Sequence, residues 1–272
     1  MSTISAPLGV GDLLRGWRQR RRLSQLDLSN EAAVSARHLS FVETGRSTPS
    51  RELVLHLAEH LDVPLRERNS LLMAAGYAPV YRERSLDDAE MDPVRGALDM
   101  ILAGHEPYPA VIVDRLWNLV TANGAALSLF ATGVSPALLE PPVNVITLAL
   151  HPDGLAPRTR NLTELSEHLL VRLQRQLAVA PDADLQALYD EALTYSGVTS
   201  HSPVLADPTT LLFVPMQLVT DDGRELSMFS TLATFGTALD ITLAELSIES
   251  FFPADPATEA YLRGSAHERP GQ

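Results

Sequence analysis

Apolar positions in the first third of the chain recur at helical spacing. Leu13, Leu14 and Trp17 fall at i, i+1 and i+4 and predict a helix over 11–22 with one buried stripe. Ser24 is placed to cap a second helix over 25–33, with Asp27 as the acid of a capping box. Ser35 caps a third over 36–44, which Gly45 closes. Ser50 caps a fourth over 51–61, with Leu53, Leu57 and Leu61 in register, and a fifth runs over 65–75 to Gly76. Residues 77–92, YAPVYRERSLDDAEMD, are polar and weakly periodic and read as a linker.

Past the linker the pattern mixes periods. A helix over 93–103 opens the segment. Residues 110–114 and 117–121 read as short strands joined by a tight turn. Segments 122–130 and 143–150 are helical in pattern. Asn161 with Glu164 suggests a capping box opening a long helix to Leu177, and Asp182 caps another to Tyr195. The period then shifts to strands over 211–220, 225–235 and 241–252, and Asp221-Asp222-Gly223 joins the first two as a hairpin. The predicted fold class is α+β. An all-α five-helix domain spans 9–76. An α+β domain over 93–255 carries a five-stranded antiparallel sheet with helices inserted after its second strand. Residues 256–272 form a flexible tail.

Composition adds an asymmetry. The 272-residue chain carries a net charge of −13. Residues 1–85 hold 12 Arg against 9 acids, while residues 86–272 hold 9 Arg against 25 acids. A weakly basic head on an acidic body fits one DNA-contacting domain joined to one that stays off DNA. Cysteine is absent, which excludes disulfides, thiol nucleophiles and Cys-ligated zinc. No apolar run approaches the roughly 18 residues a bilayer span needs, and the N-terminus lacks the pattern of a signal peptide, so no membrane association and a cytoplasmic location are expected.

The head's spacing is that of a helix-turn-helix DNA reader. The apolar turn at Ala32-Ala33-Val34 lets the second and third helices cross closely. Gln25, at the start of the second helix, is placed to grip a phosphate, and Ser35 opens the third. Ala36, Arg37 and Ser40 lie near the front of that third helix. Arg37 suits a bidentate pair with guanine and Ala36 a thymine methyl. His38 suits backbone, and Arg22, Thr44, Arg46 and Ser47 suit phosphates. LSQLDLS followed by AAVSARHLSFVETGRSTPS resembles the XRE, or lambda-repressor-like, family over about 11–76. In such domains the positions of Arg18 and Glu43 form a buried structural pair, so the resemblance moves these two charges from reading to architecture.

The acidic domain shows no P-loop, dinucleotide fingerprint, HExxH or GxSxG, and no enzymatic activity is expected. His56 and His60, at i and i+4, lack a third ligand, and His151-Pro152-Asp153-Gly154 reads as a turn rather than a catalytic pair. No cofactor is called for. The strand-turn-strand-helix run VIVDRLWNLVTANGAALSLF resembles the opening of a PAS-like sensor fold. PYPAVIVDRLWNLVTAN, NVITLALHPDGLAPRTRNL and RELSMFSTLATFGTALDITLAELSIESFFPAD are similar to the ligand-binding domain of MmyB-like transcription regulators, common in actinobacteria.

That resemblance implies an apolar small-molecule ligand, a fatty acid among the candidates. The candidate lining residues are Trp117, Phe130, Leu148, Leu169, Leu173, Phe213, Met216 and Met228, each of a type better suited to an ordinary core than to a ligand contact. Asn144, Arg158, His151 and Asn161 are the candidate polar anchors, with Arg158 the best suited to a carboxylate. The expected function is a homodimeric, ligand-controlled transcriptional regulator on a double-stranded pseudo-palindromic operator. The alternatives are a regulator whose acidic domain is a protein-interaction module with a filled core, and an antitoxin-like DNA binder.

Overall fold

The computed structural model describes residues 8–198 and 214–267. These divide into two compact units, 1–84 with 237–244, and 85–236 with 245–272.

The first unit holds five helices, α1 (Val10–Arg20), α2 (Gln25–Glu31), α3 (Ala36–Glu43), α4 (Arg51–His60) and α5 (Leu65–Ala74). The predicted caps form. Ser24 and Asp27 make a reciprocal capping box on α2, and Ser35 and Ser50 accept from the His38 and Leu53 backbone N–H groups. Leu14, Leu28, Leu39, Leu57, Leu61 and Leu72 are fully buried and form the core. The turn between α2 and α3 places Ala33 in the left-handed region at φ 51°. An L-residue there costs roughly 1–2 kcal/mol, which the Val34 N–H bond to the Ser29 carbonyl (2.9 Å) and the burial of Ala32 help offset. His56 is spent on structure. Its Nε2 lies 2.7 Å from the Ala32 carbonyl and ties α4 to that turn. α1 crosses the end of α3 so closely that a Cβ at Gly11 would lie 2.3 Å from the Val42 carbonyl oxygen.

The region expected to be a linker is partly engaged. Tyr81 and Val80 bond to Asn69, and Arg82 bridges Asp240. Residues 237–244 complete this unit. Arg84 Nη1 donates to Asp240 Oδ2 (2.8 Å), and the Thr242 hydroxyl to the Arg84 carbonyl (2.6 Å). The strand expected over 241–252 is therefore split. A short helix α11 (Ile241–Glu245) precedes β5 (Ser247–Pro253), because Asp240 turns its carboxylate onto the Thr242 N–H and starts a helical turn.

The second unit opens with α6 (Asp92–His105). Its sheet contains β1 (Ala110–Val113), β2 (Leu119–Ala122), β3 (Met216–Val219), β4 (Glu225–Thr234) and β5, in the order β2-β1-β5-β4-β3, antiparallel throughout. α7 (Gly124–Ala131), α8 (Val145–Leu150), α9 (Leu162–Val179) and α10 (Ala183–Ala192) sit between β2 and β3 in the chain. This is the PAS-like arrangement expected. The β3–β4 hairpin turns at Gly223, φ 82°. Asn123 joins α7 to β1, since its buried Oδ1 accepts from Ala126 and Ala110 N–H groups, both at 3.0 Å. Asn161 does not cap α9. Its amide instead donates to the Pro215 carbonyl and accepts from the Gln217 N–H, satisfying two backbone groups at the edge of β3.

The tail expected after Pro253 is in its first part a helix, α12 (Pro256–His267). Asp255 caps it at the Thr258 N–H (2.8 Å), Pro256 supplies a preset φ, and the fully buried Thr258 hydroxyl accepts from Ser227 N–H of β4 (2.9 Å). Leu262, 2% exposed, joins the core. Leu262→Ala is expected to lower unfolding free energy by about 2–5 kcal/mol, read by denaturant unfolding of the full chain. A frayed tail would leave it unchanged.

Candidate DNA interface and ligand cavity

α3 carries the candidate reading surface. Arg37 and His38 are exposed on its first turn, and Ala36 and Ser40 are half-buried beside them. The Arg37 guanidinium lies 5.4 Å over the Phe41 ring, an arrangement that leaves its N–H edges available. Thr44 spends its hydroxyl on the Ser40 carbonyl (2.7 Å), and the Arg46 and Ser47 N–H groups share the Phe41 carbonyl. Those two residues can meet phosphate only through their side chains. Arg22 is exposed past α1, in the left-handed region at φ 56°.

The orientation of α3 rests on Glu43. Its side chain is 0% exposed, and it accepts Arg18 Nε at 2.7 Å and Nη2 at 2.8 Å in a bidentate pair. Gln25 Nε2 donates to Glu43 Oε2 at 2.8 Å, and Arg15 Nη2 to the Glu43 carbonyl at 3.0 Å. Gln25, read from sequence as a phosphate grip, thus commits part of its amide to holding α2 on α3. Burial pushes the Glu43 carboxyl pKa up, but the hydrogen bonds from Arg18 and Gln25 and the nearby charges of Arg18 and Arg15 outweigh it and hold it below its ordinary value.

The second unit carries a partly open cavity of about 330 Å³. Phe130, Leu148, Leu169, Met216 and Met228, five of the candidate ligand residues, line it. The other candidates lie elsewhere. Trp117 is 5% exposed and belongs to the core, where its indole N–H donates to Gln176 Oε1 (3.0 Å). Leu173 is fully buried against other apolar groups. Asn144 caps α8 and donates to the Leu116 carbonyl. Arg158 donates to the Val219 and Thr132 carbonyls, so both edges of its guanidinium serve the chain rather than a ligand. His151 accepts from the Asp153 N–H in the expected turn. Phe213 lies outside the described residues.

The polar wall of the cavity escaped the sequence reading. It consists of His168 and Arg172 on α9, Ser230 on β4 and Glu249 on β5. Arg172 Nη1 donates to Glu249 Oε1 at 3.2 Å and the Ser230 hydroxyl to the same oxygen at 2.7 Å. Arg172 also stacks 4.5 Å over the Trp117 ring. Burial, then the charge of Arg172 and that of Arg175, hold the His168 pKa below its ordinary value against the pull of Glu249. The available signal was the i, i+4 spacing of His168 and Arg172 together with one acid inside an apolar strand. Among the described residues, no group of three or more His, Asp or Glu gathers as metal ligands, and no helix is long and apolar enough to cross a membrane.

Two family models match the chain. A helix-turn-helix domain covers residues 10–71, and the MmyB-like transcription regulator ligand binding domain covers residues 94–264, more than half of the chain. The chain belongs to the MmyB-like transcription regulators and carries a helix-turn-helix domain ahead of the family's ligand-binding domain. It is similar to the transcriptional regulator ClgR of Mycobacterium tuberculosis, 37% identical over 75 residues, 28% of this chain and 64% of that one. It is also similar to a protein of Methanoculleus marisnigri named as an HTH-type transcriptional regulatory protein, 31% identical over 120 residues, 43% of this chain and 38% of that one. The chain thus spans between 38% and 64% of the length of these relatives.

Among solved structures it is similar to the PAS domain of Bordetella pertussis BvgS, at 12% identity and a TM-score of 0.26 over 64% of this chain and 97% of that one. It is also similar to an RNA-binding light-oxygen-voltage receptor, at 13% identity and 0.25 over 95% and 62%. The PAS-like description rests on the strand order and pairing of the sheet itself.

Glu43→Gln leaves Arg18 buried without its countercharge and is expected to cost about 3–5 kcal/mol at neutral pH. Because the folded Glu43 pKa is depressed, its stabilisation is full above the unfolded carboxylate value, about 4.3, and is lost as pH falls through the folded value. The stability gap between wild type and variant, measured by denaturant titration across this range, should therefore close on the acid side. A gap that stays constant with pH would remove the ionic role.

Proposed function

We propose that the protein is a homodimeric regulator whose operator binding is controlled by an apolar small molecule held in the second unit. The observation that carries this reading is the cavity of about 330 Å³, lined by adaptable Met and Phe side chains, in a chain that also bears a DNA-reading helix. A pure interaction module would instead fill that core.

In this reading Arg37 reads a guanine edge, Ala36 and Ser40 support it, and His38 meets backbone. Arg22, Arg46, Ser47 and the backbone at Ser35 and Gln25 hold phosphates, and Thr44, whose hydroxyl is spent on the Ser40 carbonyl, supports the end of α3. The head's modest positive charge supports pairing of two heads, which would read half-sites about 34 Å apart. The ligand controls binding by preferring one of two arrangements of the dimer.

Native mass spectrometry of the purified full chain tests the two central points together. A dimer mass and a co-retained small apolar molecule are expected. A monomer removes the first point, and failure of any apolar small molecule to bind removes the second. On an operator recovered by binding selection, Arg37→Ala is expected to erase about 1–3 kcal/mol of discrimination against a mismatched site while circular dichroism stays unchanged. Undiminished discrimination in electrophoretic shifts would overturn the base-reading role.

A further inference from the structure

β4 and β5 are neighbours in the sheet and pair in register out to Thr234 and Ser247. A hairpin joining such strands needs only about two to five residues, yet the chain spends residues 235–246 on this connection. The excess has a structural use. Residues 237–244 are part of the first unit, the one that carries α3, although the two strands they join belong to the second.

Their attachment is specific. Arg82 and Asp240 form a parallel bridge, and the Ile241 N–H donates to the Arg82 carbonyl at 2.8 Å. The Thr242 hydroxyl donates to the Arg84 carbonyl, and Arg84 Nη1 donates to Asp240 Oδ2 at 2.8 Å. Asp240 and Ile241 are 9% and 3% exposed. The segment that receives them is itself pinned to α5, because the buried Asn69 bonds the backbone of Val80 and Tyr81.

Asp240 joins two events in one carboxylate. Its Oδ1 accepts the Thr242 N–H and starts α11, while its Oδ2 holds Arg84. Release of Arg84 would leave a nearly buried carboxylate without that countercharge, so the anchor and the helical turn favour one another. α11 then ends in the second unit, where Glu245 Oε2 lies 3.7 Å from Arg115 Nε in the turn after β1. The strands at the two ends of the connection carry cavity residues, Met228 and Ser230 on β4 and Glu249 and Phe251 on β5.

Resting on the reading of the second unit as a small-molecule sensor, we propose that the β4–β5 connection is a strap that carries the state of the cavity to the DNA-reading unit, with Asp240 and Arg84 as its clasp. The strap has a clasped and a released arrangement, and a ligand that prefers one setting of β4 and β5 biases the choice. Coupling of this kind is reciprocal. DNA bound at the first unit must therefore be felt in β4 and β5.

That reciprocity gives a test that needs no small molecule. Amide hydrogen exchange of the full chain is measured by mass spectrometry with and without saturating operator DNA recovered by binding selection. In wild type, operator is expected to change exchange over 229–234 and 247–251 by at least about fivefold, the low end of ordinary coupling. Arg84→Ala should still bind the operator but lose the change in those strands. Thr242→Val, which removes one hydrogen bond and keeps the charge pair, should reduce it, and decides the matter if Arg84→Ala does not fold. Operator that leaves both strands unaltered in wild type would overturn the coupling. A change of equal size in the folded variants would overturn the strap as its route. Failure of any apolar molecule to bind would overturn the sensor reading alone, since the exchange experiment contains no ligand.

Discussion

Glu43 lies at the end of the recognition helix with no solvent contact, and a lone carboxylate there would be severely penalised. Arg18 from α1 and Gln25 from α2 converge on it, and Arg15 takes its backbone carbonyl. One side chain therefore fixes three helices to a common point. The apolar core supplies most of the free energy of the head, but apolar contacts are non-directional. The fork geometry of Arg18 is directional, and it sets the angle at which Arg37 and Ser40 are presented. The close approach at Gly11 is compatible with this pairing because no Cβ intervenes between α1 and the Val42 carbonyl.

The second unit uses the same pair type with a different outcome. Glu249 is also a buried carboxylate, and its pair with the half-buried Arg172 guanidinium joins α9 to β5. In the head the pair is closed, with both carboxylate oxygens held by Arg18 and one also by Gln25. In the second unit the recorded donors both meet Oε1, and the pair borders a cavity. The first arrangement is architectural because little is left to offer. The second retains hydrogen-bonding capacity on a wall that a small molecule can reach. Burial sets the cost in both, and satisfaction of the remaining lone pairs and protons separates structure from recognition.

The head was largely legible in the sequence because its signals are local. Ser24 with Asp27, Ser35, Ser50 and the glycines at helix ends each act within a few residues, and they place the helices to within one or two positions of those observed. The strands and inserted helices of the second unit were readable for the same reason, but the polar wall was not. His168, Arg172, Ser230 and Glu249 come from three elements spread over 82 positions of numbering, and only the antiparallel pairing of β4 with β5 and the packing of α9 bring them together. Arg158 and Asn144 misled because their residue types suit a ligand, while the backbone carbonyls that occupy them leave no trace in sequence. The α12 helix was missed although Asp255-Pro256 is a recognisable helix start, since the run after it is short of bulky apolar residues and its docking rests on the buried Thr258 and Leu262 with Tyr261 packed beside them.

A ligand controls DNA binding only by the difference in its affinity for two arrangements of the protein, however tightly it binds either one. An apolar tail filling the cavity contributes affinity in proportion to the surface it buries, and much of that is shared by any arrangement in which the cavity persists. The polar wall is different. Its geometry depends on the register of α9 against β5, and a change of about an ångström there breaks a hydrogen bond while scarcely altering apolar contact. A head group that bridges α9 and β5 is therefore better placed than the tail to distinguish two packings of the domain. On this argument a polar head group is the part of a ligand that would carry the signal, and the apolar body is the part that would carry the affinity.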